Sequence, residues 1–131
     1  MADYTQLNLK DDVENMSERF GLAPDMEARF ARNPLGLAGG GFSYQKLAPN
    51  YRAPAAHRHT THEEVYVVVG GSGRVKIEDE IRDVRQWDAV RFAPEVARGF
   101  EAGPDGLELI AIGFGEGGDS ELLEDFWEGE G

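Results

Sequence analysis

The stretch that decides the fold is His57-Arg58-His59-Thr60-Thr61-His62-Glu63-Glu64-Val65-Tyr66-Val67-Val68-Val69-Gly70-Gly71-Ser72-Gly73-Arg74-Val75. Its centre, Val65 to Val69, is a nearly unbroken β-branched and aromatic run, the composition of a strand. Gly70 to Gly73 reads as a tight turn, and Arg74 to Glu78 alternates again with Val75 and Ile77 facing inward. Ahead of the run, all three histidines of the chain fall within six residues. Side chains two apart on a strand share a face, so His57 and His59 present two imidazoles side by side. Glu64 opens the next strand, where antiparallel pairing can bring it opposite them. By parity Glu64, Tyr66 and Val68 share one face, and Glu63, Val65, Val67 and Val69 the other. Parity does not say which face is interior.

Outward from this stretch the pattern stays β. Leu37 to Leu47 is a glycine-rich entry to a strand, with Phe42, Tyr44 and Lys46 on one face. Pro49-Asn50 is a turn signal, because Asn tolerates the left-handed region. Met26 to Ala31, Ile81 to Val84, Ala89 to Ala93 and Leu107 to Gly113 read as further short strands, and Gly103-Pro104-Asp105-Gly106 as a turn before the last. Short strands with turn signals every ~8–12 residues indicate a sandwich or barrel. Helical spacing occurs twice. Val13, Met16 and Phe20 predict a short helix over residues 11–20, stopped by Gly21. Leu122, Leu123, Phe126 and Trp127 share a helical face in a tail with seven acids and no base. That tail is expected to dock on the barrel, or to serve as a dimer contact or lid. Residues 1–36 are then an N-terminal helix and edge strand packing on the barrel. Residues 37–114 are the barrel core, and residues 115–131 an acidic tail with a short helix.

Composition narrows the function classes. A chain of 131 residues fits one domain. The absence of cysteine excludes disulfides, thiolate nucleophiles and cysteine-ligated zinc. A net charge of −12 repels phosphate backbones and anionic membranes, so neither nucleic acid nor a membrane is an expected partner. The polar, acidic N-terminus has no secretory pattern, and no apolar run approaches the ~20 residues of a membrane span. The expected location is the cytoplasm.

Two histidines separated by one residue, then three or four residues, then Glu, then six residues, then Gly is the first motif of the cupin family. The sequence resembles that family through His57, His59, Glu64 and Gly71, from about Phe42 to Gly113. Glu63 with Gly70 also fits; the Gly71-Ser-Gly-Arg-Val continuation favours Glu64. Asn50 stands where the family has an upstream glycine. The resemblance implies an all-β fold, the cupin-type double-stranded β-helix or jelly-roll barrel, here with short terminal helices. The family's second motif carries a glycine, a proline and then a histidine that is usually the fourth metal ligand. Here Trp87 takes the glycine place, Pro94 supplies the proline, and Arg98 stands where the histidine should be.

Two imidazoles and a carboxylate suit a divalent first-row ion such as Fe, Mn, Ni, Zn or Cu and leave positions open for a ligand. His57, His59 and Glu64 are therefore the candidate metal ligands, with His62 as a candidate fourth, although its place in a turn also suits a solvated residue. Arginine is not a normal metal ligand. Arg98 either turns away, binds an anionic substrate, or pairs with Glu64 in a pocket without metal. Tyr66 is a candidate ligand-binding hydroxyl; Trp87 and Phe100 read as core or pocket wall. Two functions follow. One is a metal-dependent enzyme, of the oxygenase or isomerase type that the resemblance implies, acting on a small polar or anionic molecule. The other is a non-catalytic small-molecule-binding or sensing barrel without metal. Uncovered strand edges favour pairing, so a homodimer is expected.

Overall fold

Two strands much longer than the sequence pattern suggests run antiparallel through the whole molecule. The computed structural model describes residues 2–54, 56–115, 120–123 and 126–127. The elements are β1 (Met26–Phe30), α1 (Arg32–Leu35), β2 (Gly40–Leu47), β3 (Ala56–His59), β4 (Glu63–Ile77), β5 (Glu80–Arg85), β6 (Ala89–Phe92), β7 (Arg98–Phe114) and β8 (Ser120–Leu123). The pairing of β4 with β7 is the spine. Their two halves take different neighbours. The first half of β4 and the second half of β7 join β6 on one side and β2 and β1 on the other. The second half of β4 and the start of β7 join β5 on one side and β3 and β8 on the other. This gives two five-stranded layers that share both long strands, a jelly-roll barrel, as the sequence predicts.

The two expected turns at residues 70–73 and 103–106 are instead the bends that carry β4 and β7 from one layer to the other. Register passes from Gly71↔Leu107 to Gly73↔Ala102, so residues 103–106 stand opposite Ser72 alone. Glycine makes the bend possible. Gly71 has φ 72, and a Cβ on it would lie 2.1 Å from the Gly106 carbonyl oxygen. Alternation and glycine content mark such a site, but a bulged strand and a turn share that composition.

The core lies between the layers. Leu47, Tyr66, Val68, Phe92, Leu107, Leu109 and Ala111 come from one layer, and Val75, Val84, Phe100 and Ala102 from the other. Glu64, Tyr66 and Val68 face inward, which settles the parity of β4. On β2 the inward residues are Ser43, Gln45 and Leu47. Tyr44 is buried on the opposite face, beneath Lys10, and donates to Glu108 Oε1 at 2.5 Å.

Both expected terminal helices give way to other structure. Residues 11–20 form turns with a bridge from Asn15 to Arg29. Asn15 Oδ1 accepts from the backbone of Ser17 (3.0 Å) and Ala28 (3.1 Å), and the Met16 amide bonds to Ala28 O at 2.8 Å. The edge of β1 thus captures groups that a helix would have used. At the other end, Ser120–Leu123 is a strand paired with β3, while Phe126 and Trp127 lie in a turn. The rest of that predicted helix lies outside the described residues. The one helix among the described residues is α1. Among them no helix is long and apolar enough to cross a membrane.

Trp87 is not core. It sits in the turn between β5 and β6, 71% exposed, at φ 76. This is the glycine conformation that the family motif supplies with glycine. Asn50, at φ 63, does the same in its turn, as expected. Phe100 is buried, also as expected.

Two substitutions should move stability in opposite directions in urea unfolding. Gly71→Ala puts a Cβ against a backbone oxygen at positive φ and should cost about 3 kcal/mol. Trp87→Gly relieves a left-handed residue that makes little packing contact and should gain about 1 kcal/mol.

Candidate metal centre

The two layers meet at one carboxylate oxygen. Glu64 enters from the start of β4, in one layer. His57 and His59 enter from β3, and Arg98 from the first residue of β7, in the other; His57 and Arg98 are direct register partners. His57 Nε2 and His59 Nε2 each lie 3.1 Å from Glu64 Oε1. Arg98 Nη2 donates to the same oxygen. The two rings stand edge-on, with centroids 5.1 Å apart. The structure therefore brings together the three residues proposed as metal ligands, and their donor atoms lie within 4.8 Å of one another. Glu63, the other reading of the motif, points outward and pairs with Arg91 at 2.7 Å.

Arg98 is the largest fully buried side chain among the described residues, with no exposed surface. Its Nη1 donates to Val96 O at 2.8 Å and more weakly to Pro94 O at 3.4 Å. Its guanidinium lies over the Phe92 ring at 5.0 Å, and Phe92, Tyr66 and Phe100 pack edge-on or tilted beneath it. The Pro94 carbonyl also accepts from the His59 amide at 2.7 Å, tying β3 to the Arg98 loop. Of the readings open to Arg98, the pairing with Glu64 is the one that the geometry realises.

Burial pushes the Glu64 carboxyl up, but hydrogen bonds and charge from His57 and Arg98 outweigh it and bring the group from its ordinary 4.5 down to about 2. Tyr66 is buried beside the site, and burial together with the Glu64 charge raises its hydroxyl above the ordinary range. A side-chain hydrogen bond with Gln45 works the other way.

His62 is not a solvated turn residue. It is 6% exposed, its ring tilts against His59 with centroids 5.0 Å apart, and it fills the notch left by Gly113. A Cβ on Gly113 would fall 2.0 Å from His62 Nε2. Gly113 is in turn the register partner of Glu64. His62 thus lies next to the group of three, outside the set of converging donors.

His57, His59, His62, Glu64, Tyr66 and Arg98 line a cavity of about 850 Å³. Sequence reasoning missed much of its wall: Phe20, Leu22, Met26 and Phe30 from the N-terminal segment, and Ser120 and Leu122 from β8. The apolar spacing of Phe20 was legible, but it was spent on a helix that does not form.

The protein shares this architecture with solved structures. A cupin protein from Bacteroides fragilis superposes with a TM-score of 0.72 at 23% identity, covering 89% of this chain and 88% of that one. The fold is that of a single cupin barrel. KdgF from a Halomonas species matches at TM-score 0.68 and 16% identity, over 89% of this chain and 96% of that one. Oxalate decarboxylase from Bacillus subtilis matches at TM-score 0.73 and 21% identity, over 89% of this chain but only 31% of its own. No family model and no curated protein matches the sequence. Within this cupin fold the donor set fits a divalent ion. Ligands about 2.1 Å from a common ion and at right angles stand about 3 Å apart, close to the spacing seen between each imidazole and Glu64.

In the metal-free protein the depressed carboxyl makes stability depend on acid. The contribution of Glu64 is fully present above about pH 4.5 and is lost as pH falls toward 2. Glu64→Gln should flatten that part of the acid-unfolding curve followed by circular dichroism. At pH 7 it should cost about 3 kcal/mol, because Arg98 is left buried without its counter-charge.

Proposed function

We propose that this cupin barrel is a metal-dependent enzyme, of oxygenase or isomerase type, acting on a small molecule with a polar or anionic head. The observation that carries this reading is the convergence of His57 Nε2, His59 Nε2 and Glu64 Oε1 in the wall of the cavity. A divalent ion held by those three residues would supply Lewis-acid polarisation of a ligand oxygen. The chain's own residues do the rest. Arg98 fixes the Glu64 carboxylate and keeps it ionised. Tyr66 brings a neutral hydroxyl to the inner end of the cavity. Tyr66 and Phe100 and the apolar side chains line the rest of the cavity. The oxalate decarboxylase neighbour acts, by its name, on a small acid; at 21% identity the likeness carries the fold alone.

The Arg98–Glu64 ion pair favours a second reading, a metal-free binding or sensing pocket. A guanidinium on the same oxygen that a metal would use opposes the ion by charge repulsion. Calorimetric titration of EDTA-stripped protein with Mn, Fe, Ni, Zn and Cu separates the two. The enzyme reading expects binding of one ion per chain, with His57→Ala, His59→Ala and Glu64→Gln each weakening it tenfold or more. It also expects Arg98→His to tighten binding about tenfold, by removing a charge and adding a ligand. If none of the five metals binds, the enzyme reading fails. Thermal shifts with small acids, sugars and phosphates then test the second. We further propose a cytoplasmic homodimer, since β5, β6 and β8 each pair with a single strand among the described residues. Light scattering that gives a monomer at micromolar concentration overturns the dimer.

A further inference from the structure

The cavity is far larger than its polar end requires, and most of the rest of it is hydrocarbon. Beyond His57, His59, Glu64 and Arg98 the wall is supplied mainly by Leu22, Met26, Phe30, Phe42, Leu47 and Leu122. The polar residues elsewhere in the wall are partly occupied. Gln45 donates to Ser43 Oγ at 3.2 Å, and Arg32 reaches the carbonyls of Gly115 and Ala38 at 3.3 and 3.4 Å. Three of the chain's exposed large apolar side chains also belong to this wall: Phe20 (55%), Phe30 (47%) and Leu122 (70%). Phe20 and Phe30 pack edge-on there, with centroids 6.0 Å apart.

Arg98 matters by what it does not offer. Its guanidinium is fully buried and bonded to Glu64 and to Val96 O, so it presents no open fork to an anion. At that end a small dianion meets no open guanidinium fork, and the wall's other arginine, Arg32, is turned to the Gly115 and Ala38 carbonyls. Affinity has to come from the apolar wall, where water gains few hydrogen bonds and an apolar ligand gains burial.

We infer that the ligand is amphipathic: a single oxygen-anion head, such as a carboxylate, at the His57–His59–Glu64 end, and an aliphatic or aromatic body along the apolar wall. The inference rests on the reading of that end as the ligand-holding one. It deepens that reading by naming the body of the ligand. A cavity of about 850 Å³ is large enough for a drug-sized molecule.

Calorimetry with acetate, butyrate, hexanoate and octanoate, on protein with and without Mn²⁺, tests it. Kd should fall about fourfold for each added methylene until the chain fills the cavity. Octanol should bind at least tenfold more weakly than octanoate. Met26→Gln and Leu22→Asn, two half-buried wall positions, should each abolish the gain with chain length, with circular dichroism checking that the barrel is folded. If Mn²⁺ and acetate bind but chain length makes no difference, the amphipathic inference falls and the enzyme reading stands. Octanol binding as tightly as octanoate overturns the placement of the head. If neither Mn²⁺ nor a carboxylate of any length binds, the reading of the polar end falls as well.

Discussion

A fully buried arginine cannot stand in a protein interior without a partner, and in this barrel its partner is Glu64. Much of the molecule is arranged around that requirement. Arg98 belongs to one layer of the jelly roll and Glu64 to the other, so the pair ties the two layers together at one end of the barrel. The desolvation of two charges is offset only if the remaining donors are also satisfied. The Val96 and Pro94 carbonyls and the ring of Phe92 take up the guanidinium, and the two imidazoles meet the carboxylate, while Arg98 Nε is left without a hydrogen-bond partner. The chain therefore places a loop with free carbonyls, an aromatic floor and a two-histidine strand around one carboxylate.

The backbone has to bring the layers close enough for this to happen, and the glycine bends do so. Gly71 and Gly73 of β4 pass within contact distance of β7 carbonyls, an approach that any side chain would block. Gly113, opposite Glu64, leaves the notch into which His62 turns, and His62 then backs the ring of His59. The tail contributes at the same end. β8 pairs with β3, the strand that carries both ligand histidines. Trp127 packs over Arg52 at 4.5 Å, where Arg52 and Arg74 hold Glu101 at 2.7 Å each. The strand bearing the site is thus an inner strand, held on both edges.

Sequence made the strands, the inward residues of the motif and the three converging donors legible, because period-two alternation and a fixed His-to-Glu spacing are local signals. It misled where a local signal has two physical outcomes. Glycine clusters serve turns and strand bends alike, so residues 70–73 and 103–106 were read as ends of strands rather than their middles. Val13, Met16 and Phe20 have helical spacing, yet Asn15 found partners on β1, a long-range competition that no window of sequence contains. Trp87 was placed inside because it is large and apolar, while its left-handed backbone holds it in an exposed turn. The direction of Arg98 was not legible at all. It depends on whether a carboxylate from the other layer lies within reach, which only the closed barrel decides.

The same pair sets the terms on which a metal can enter. An ion bound to Glu64 Oε1 would share that oxygen with the guanidinium, and the two positive charges would set up repulsion. The carboxylate's second lone pair, and the pull of two imidazoles, work against it. A histidine at this place would avoid the opposing charge and add a ligand. Here the arginine gives up that ligand and supplies a permanent counter-charge, so the carboxylate stays ionised and oriented with or without an ion. The site is built to keep Glu64 in one state and one position, and any ion it takes is held against a fixed positive charge. That makes occupancy sensitive to what else coordinates it, because an anionic head bound to the ion would offset the charge that Arg98 imposes.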